Sequence, residues 1–586
     1  MSVLNWSVVE DNENVTEIEK KYPLKGDLTG NKLMRFLPAL IATNISTMLL
    51  ITVDSLVAGN MVGADALASI SFFNPILLAI GALTAIVSMG SSTVLSLRMG
   101  DTDTEGLNRA KDAIKKTSII FAIIISIVQI PVVYIMIKAY GLSGDVLSYT
   151  TSYAIGVMCA TPFSVINTVG VYQLQAIGKM KVLMGMAILE GVSNLVLDLV
   201  FVGLFDMGVA GTGYGTLCAN IIRCVATVLY LFKKSDMYNS GGVKSKGADV
   251  KEIIVKGLPE AAYSAVSAIQ NYVLIVVLIE YFGDAGGVIK GVAAFAFSIA
   301  NVMMTSVQGA ARPMVGLMNG VDEKKSVRGL LQQSIILTVL LAGVIVAVVI
   351  IWPELFYTLQ GVKEIPKGGE LSLKLYAISF ILLGINAMLR MYFTAREYHR
   401  FSTIITAVGN IVVPLFAYVI GLFMDAPYIW LSFTIAQLII LFANFIKYGI
   451  VLKEDRASDV DIKRIYLSVE PEEATDASRM IQEYALENNY SEIKSNRIGL
   501  CMEEMVAYSV KASSDEKLRN QIMFCFSDKE IRFVMLDDGE CIIFDKDSET
   551  QSLVSDNYGV IKRIADSVSY NYVLDLNDTV VTFATE

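Results

Sequence analysis

The chain has 586 residues, 54% of them hydrophobic and only 18% charged, with a mean hydropathy of +0.55. A chain this long with so few charges is not one soluble globule, and it is not collagenous, disordered or a small disulfide scaffold. A net charge of −10 argues against a nucleic-acid partner, and a single histidine (His399) beside six cysteines without Cys-x-x-Cys spacing argues against a zinc site.

Residues 1–31 are polar, with Asp11, Glu13, Glu17 and Glu19, and lack the basic and apolar pattern of a signal peptide, so a cytoplasmic segment is expected there. Twelve stretches then reach the roughly 20 mostly apolar residues of a membrane helix. They lie near 33–57, 68–97, 117–138, 148–175, 181–204, 209–232, 253–281, 290–317, 329–352, 371–395, 402–424 and 427–450. Gly, Ser, Thr and Asn interrupt several of them, as in helices that line a polar cavity. Basic residues gather in the even-numbered connections: Arg98, Arg109, Lys111, Lys115 and Lys116 after the second span, and Lys233, Lys234, Lys244, Lys246 and Lys251 after the sixth. Positive charge stays inside, so these connections and both termini are expected in the cytoplasm of a plasma-membrane protein. The cysteines are expected to be reduced. Residues 455–586 are polar again and have the length of one cytoplasmic α+β domain.

The sequence repeats at a distance of about 220 residues. The stretch from Phe36 to Phe73 corresponds to the one from Gly257, with Pro38 and Pro259 near the start of each, and Gly100 and Gly320 in step further on. The expected plan is a first half at 32–234, a linker at 235–252 and a second half at 253–452, two six-helix halves in parallel orientation with a substrate path between them.

Four motifs, "VDSLVAGNMVGADALASIS", "VYQLQAIGKMK", "NLVLDLVFVGLFDMGVAGTGYGT" and "QGAARPMVG", give residues 30–450 a resemblance to multidrug and toxic compound extrusion (MATE) transporters. The resemblance implies twelve transmembrane helices, export driven by a Na⁺ or H⁺ gradient, and cationic or amphipathic small substrates. It implies a transporter without a resident cofactor rather than an enzyme.

Two carboxylates sit in apolar spans, Asp54 in the first and Asp198 in the fifth. Each costs about 2.5–3.5 kcal/mol to insert at mid-membrane, so each needs a reason. Asn194 lies one turn before Asp198 on the same face, and Thr216 opens the next helix. Carboxylate, amide and hydroxyl oxygens are hard ligands suited to Na⁺, and a buried carboxylate also suits proton exchange. The resemblance makes Asp54, Asn194, Asp198 and Thr216 the cation-coupling site. The alternative is that Asp54 caps a helix or pairs with a base such as Arg223. Glu190, near the start of its helix, is expected at a solvated end, and His399 in a solvated loop.

No coupling site is expected in the second half, where Ser267 stands at the place of a family carboxylate. Gln270, Asn271, Gln308, Arg312 and Arg390 are polar residues in apolar helices, expected either to line the substrate cavity or to bond helix to helix. Pro38 and Pro259 are expected flexible points for alternating access. One charge crossing 100 mV supplies about 2.3 kcal/mol, enough for a roughly fiftyfold gradient of a neutral substrate.

The tail reads as two amphipathic helices, a hairpin around Ser527-Asp528-Lys529, then a helix and two strands. It resembles the ATP-binding domain of anti-sigma-factor serine kinases, of the histidine-kinase-type (Bergerat) fold, through Glu503-Glu504, Asp537-Asp538-Gly539, Phe544-Asp545 and "NYGVIKRIADSVSY". The family's Mg²⁺-holding Asn is replaced by Tyr508, the adenine box lacks its second glycine at Cys541, and the lid has only Gly559. Glu504, Asp537, Asp538, Gly539 and Gly559 are thus a nucleotide-binding remnant, expected not to hydrolyse ATP. A regulatory module with a cytoplasmic protein partner is the alternative role. Two other readings stay open for the whole chain: a membrane-anchored sensor signalling through the tail, and a lipid-linked saccharide flippase of the same superfamily.

Overall fold

A long apolar segment folds in a bilayer by closing its backbone hydrogen bonds within itself, which makes it a helix. A computed structural model describes residues 16–24, 28–99, 104–139, 143–235, 239–283, 285–360, 362, 364–458, 462–512, 519–527, 530–540 and 549–584. The segment Glu17–Lys21 forms the short helix α1. The first half consists of α2 (Leu28–Met61), α3 (Ala64–Met99), α4 (Thr104–Ala139), α5 (Gly144–Ala176), α6 (Met180–Asp198) and α7 (Val209–Lys233). The second half consists of α8 (Gly247–Phe282), α9 (Ala285–Gly320), α10 (Lys324–Ile351), the short α11 (Pro353–Leu359), α12 (Gly369–Ala395), α13 (His399–Phe423) and α14 (Leu431–Ser458). Among the described residues, eleven helices are long and apolar enough to cross a membrane.

Each expected span overlaps one of these helices, although 181–204 runs past the end of α6 and 427–450 begins before α14. Most helices run further than the apolar stretch; at α10 a cap accounts for it, since Glu323 accepts a hydrogen bond from the Ser326 N–H at 3.1 Å and so starts the helix before its apolar part begins. The helix α11, inside the longest connection, has no counterpart in the expected plan. His399 is not in a loop; it opens α13 and is half-buried.

The repeat survives as geometry. In the first half Asn167 of α5 donates to both the backbone oxygen (3.0 Å) and the side-chain oxygen (3.2 Å) of Asn220 on α7. In the second half Asn386 of α12 donates to both oxygens of Gln437 on α14, each at 2.9 Å. The same buried amide clamp thus joins equivalent helices in both halves.

The halves meet closely at one end. A methyl group on Gly90 of α3 would lie 2.0 Å from the Ile253 oxygen, and one on Gly257 of α8 would lie 1.8 Å from the Ile86 oxygen. Small residues let the two backbones touch here. Arg98 and Glu252 pair across the same seam at 2.9 Å, and Asn44 of α2 donates to Ser306 of α9 at 2.8 Å. One apolar core at this end draws on helices of both halves. Towards the opposite end the apolar clusters belong to one half each.

The tail adds β1 (Lys463–Leu467), α15 (Ala474–Glu487), α16 (Glu492–Ala512), β2 (Asn520–Phe526), β3 (Glu530–Asp537), α17 (Glu549–Ile564), β4 (Ser567–Val573) and β5 (Leu576–Ala584). The strands form one antiparallel sheet in the order β1-β2-β3-β5-β4. The expected hairpin and the final helix with two strands are present; β1 was not foreseen. One sheet face (Ile465, Phe524, Phe533, Val581) packs on the helices. α1 joins that core through Ile18 and Tyr22, and Glu19 accepts from the Tyr466 N–H at 3.0 Å. Residues 16–24, expected with a separate N-terminal segment, therefore build the tail domain, so α1 and the tail lie on one side of the bundle. Phe544, Asp545 and Cys541 lie outside the described residues.

Asp578 in β5 is fully buried, neither of its carboxylate oxygens is bonded among the described residues, and burial pushes its pKa up to about 8. A carboxyl whose folded value lies above the ordinary one keeps its full contribution in acid and loses it as pH rises through the folded value. The tail is expected to weaken between pH 6 and pH 9. Asp578→Asn should remove most of that weakening, read as a smaller difference between thermal unfolding midpoints at the two pH values.

Candidate ion-coupling site

The site is built where four helices of the first half converge. Asp198 ends the regular part of α6, and residues Leu199–Leu204 continue as a π-helical turn. Such turns recur at functional sites because they re-aim the side chains around them. Asn194, one turn earlier, donates to Asp198 Oδ1 at 3.5 Å and to Thr216 Oγ1 of α7 at 3.4 Å. Thr216 donates to Asp54 Oδ2 of α2 at 3.0 Å. Tyr153 of α5 reaches the same Asp54 oxygen at 3.4 Å. All four expected residues are brought together, joined in the order Asp54–Thr216–Asn194–Asp198.

Asp54, Asn194 and Asp198 are buried, and each keeps one side-chain oxygen without a hydrogen-bond partner among the described residues: Asp54 Oδ1, Asn194 Oδ1 and Asp198 Oδ2. Neither carboxylate touches a basic residue in this network. The alternative pairing of Asp54 with Arg223 does not form, because Arg223 is bound to Glu190. Glu190 is therefore not at a solvated end; both members of that pair are buried. Gly215 completes the site, since a methyl group there would lie 2.0 Å from Asp198 Oδ1. Tyr153 and Gly215 were not singled out from the sequence; the "GTGYGT" run was the available signal for the glycine.

The equivalent place in the second half, about 220 residues on, holds Ile275, Val413, Ala417 and Ile435. Val413 and Ala417 are fully buried in an apolar core. The carboxylates of that half lie elsewhere. Glu260 of α8 is buried and bridges Arg312 of α9 (3.1 Å) and Arg390 of α12 (3.2 Å), with Gln308 donating to it at 3.0 Å. Arg390 also lies over the Tyr263 ring at 4.3 Å. Of the five polar residues expected to line a cavity or bond between helices, Gln308, Arg312 and Arg390 thus do the second. Asn271 accepts from Lys290 of α9 at 2.7 Å, also between helices, and Gln270 is buried in α8. Glu260 was passed over, although two arginines in apolar helices require an acid nearby.

In the tail, Glu504 accepts from Asn557 at 2.6 Å, and Asp537 accepts from Asn577 (2.6 Å) and from the Gly539 N–H (3.0 Å). Burial pushes the Asp537 carboxyl up to about 6. Asp538 is turned away, in a two-point pair with Arg519 at 2.8 and 3.0 Å. Asn557, Tyr558 and Gly559, expected as a lid, lie within α17. A lone glycine does not break a helix there.

The family model MatE matches residues 39–200 and 264–419, which span both halves and more than half of the chain.

The chain belongs to the MatE family.

It is a helical, multi-pass membrane transporter. The multidrug export protein MepA of Staphylococcus haemolyticus is 24% identical over 418 residues, covering 68% of this chain and 89% of that protein. The probable multidrug resistance protein YoeA of Bacillus subtilis is 20% identical over 326 residues, covering 54% and 70%. A MATE crystal structure in the bent conformation superposes with a TM-score of 0.69 at 20% identity, covering 76% of this chain and 99% of that one. A multidrug resistance MATE transporter in an outward-facing conformation superposes with a TM-score of 0.65 at 20% identity, covering 75% and 99%.

Glu260→Gln leaves two buried arginines facing a neutral amide. Removing one partner of a buried ion group costs about 3–5 kcal/mol. The expected result is a lower thermal unfolding midpoint of the purified transporter, partly restored when Arg312→Met is added.

Proposed function

We propose that this MatE protein is an ion-coupled exporter of amphipathic or cationic small molecules working by alternating access, with Asp54, Asn194, Asp198 and Thr216 as its cation-coupling site. The observation that carries this reading is the buried first-half cluster: among the described residues it has three unbonded oxygens, and neither of its two carboxylates is in an ion pair. That donor set fits Na⁺, which prefers hard oxygens, and equally fits a proton shared within the cluster. Asp54 and Asp198 would carry the compensating charge; Thr216 and Asn194 would hold the two carboxylates in one site; Gly215 leaves the space that Asp198 fills. The multidrug names of the relatives support the substrate class.

The halves touch at the end that carries the tail. With the tail in the cytoplasm this is an outward-facing arrangement, in which the coupling site takes its ion from outside. The basic connections and the common side of α1 and the tail support cytoplasmic termini in a plasma membrane, and α2 supplies the twelfth crossing. Ion and substrate would alternate at the outward-facing state, and the substrate path would lie between the halves. The tail is read as a cytoplasmic regulatory domain that does not hydrolyse ATP: Glu504 is engaged by Asn557, and the single glycine of the lid is helical. A saccharide flippase is less well supported, because Arg223, Arg312 and Arg390 are committed to carboxylates.

Dye-cation efflux from cells under separately imposed Na⁺ and pH gradients tests this. Wild type is expected to respond to one gradient. Asp198→Asn should lose that response at equal expression, and Gly215→Ala should weaken it without changing any charge. Identical behaviour of wild type and empty vector under both gradients would overturn the reading.

A further inference from the structure

We propose that the tail domain is an intramolecular clasp, whose one rigid sheet grips both halves at their touching end and must release one of them before the transporter opens on that side. The proposal rests on the alternating-access reading above.

A sheet has two faces, and side chains alternate between them. The tail helices cover one. The other face is laid on the membrane helices. Val321, in the turn between α9 and α10, is buried with Met523, Val534 and Val580 of three different strands. Around it Arg464 pairs with Asp322 at 2.8 Å, Gln521 donates to Ser326 at 3.2 Å, and Lys325 lies over the Tyr466 ring at 5.1 Å. All of these grip the second half.

The opposite edge of the same sheet grips the first half. Asn571 of β4 donates to the Met99 oxygen at the end of α3, at 2.8 Å. Leu574 and Asp575 form the two-residue turn between β4 and β5, both with positive φ (60° and 55°). That backbone disfavours a leucine, and turns of this kind ordinarily use Asn or Gly. The Leu574 side chain is nevertheless fully buried, in the core formed by helices of both halves. Gly178, in the turn between α5 and α6, receives it: Gly178 has φ +76°, and a methyl group there would lie 2.4 Å from Leu574 Cα. The Asp575 oxygen accepts from Lys32 of α2 at 2.6 Å, and its carboxylate lies 3.7 Å from Lys179. A bulky residue in a conformation it resists, held in a socket shaped by a glycine, is a fitted joint.

Five antiparallel strands about 4.8 Å apart span roughly 19 Å, and their hydrogen bonds do not stretch. Alternating access moves the ends of the halves apart by much more than a hydrogen bond tolerates. The sheet therefore leaves one half, or the halves stay closed. The β4–β5 tip is a single hairpin turn, and it is the grip that releases. The matched family region ends at residue 419, so the clasp is added to the transporter rather than part of it.

The test uses the full-length protein in lipid nanodiscs, with its native cysteines replaced and spin labels at Lys181 on α6 and Arg400 on α13, both exposed. Pulsed dipolar spectroscopy then reads the separation of the halves without any substrate. Leu574→Glu places a charge in the buried socket. The expected result is a longer-distance population raised roughly 5- to 30-fold over wild type, together with faster dye efflux. Asn571→Ala combined with Lys32→Ala trims only the rim of the joint and should give a smaller shift in the same direction, which keeps the test open if Leu574→Glu does not fold. Folded variants with wild-type distances overturn the clasp. Shifted distances with no efflux from any form, wild type included, count against export and leave the clasp standing; coupled efflux with unmoved distances does the reverse.

Discussion

A charge in the apolar interior of a helix bundle has to be met by an opposite charge, a proton, an ion or a set of donors, and this requirement organises both halves of the protein. The halves share one architecture down to the amide clamps of Asn167 and Asn386, yet they meet the requirement in opposite ways. The second half neutralises its carboxylate inside the fold, with Glu260 held by two arginines and a glutamine. Among the described residues the first half gives Asp54 and Asp198 neutral donors at 3.0–3.5 Å and leaves an oxygen of each unbonded. The two halves share a symmetric frame; basic residues neutralise the buried carboxylate of the second half and do not pair with those of the first, which is what the proposed coupling role rests on.

The same logic bears on Glu190 and Arg223. They occupy α6 and α7, the helices that also supply Asp198, Asn194 and Thr216. Arg223 is paired with Glu190 rather than with Asp54 or Asp198. A fixed counter-charge at Asp54 or Asp198 would compete with any exchangeable cation at close range, where the interior screens charges poorly.

Much of the fold was legible because bilayer helices announce themselves: a run of about 20 apolar residues has few other uses. The carboxylate site was legible for a related reason, since Asp54 and Asp198 stand out against Leu and Val, and the four-residue step to Asn194 places it on the same face. What escaped notice depends on packing between distant segments. Glu260 looks like a residue at the start of a helix until α9 and α12 bring Arg312 and Arg390 to it. Glu190 looks solvated until α7 covers it. The lid remnant at Asn557–Gly559 lies inside α17, because a single glycine does not break a helix and the sequence around it carries the amphipathic pattern of that helix. The strand β1 is only five residues, and its alternation is lost between the end of α14 and the polar start of α15.

The joint between tail and transporter was invisible for a deeper reason. Nothing in Leu574-Asp575 marks a docking element, because a leucine at a hairpin tip reads as an exposed apolar residue. Its meaning comes from Gly178, nearly 400 residues earlier, whose missing side chain makes the socket. That pairing also links the two functional parts of the molecule. Gly178 precedes α6, and α6 carries Asn194 and Asp198. A rigid helix transmits displacement along its length, so whatever moves the α5–α6 turn against the tail also moves one wall of the proposed coupling site. If the proposed coupling site holds an ion, its occupancy and tail docking would act on opposite ends of one helix, and any coupling free energy between them would be reciprocal.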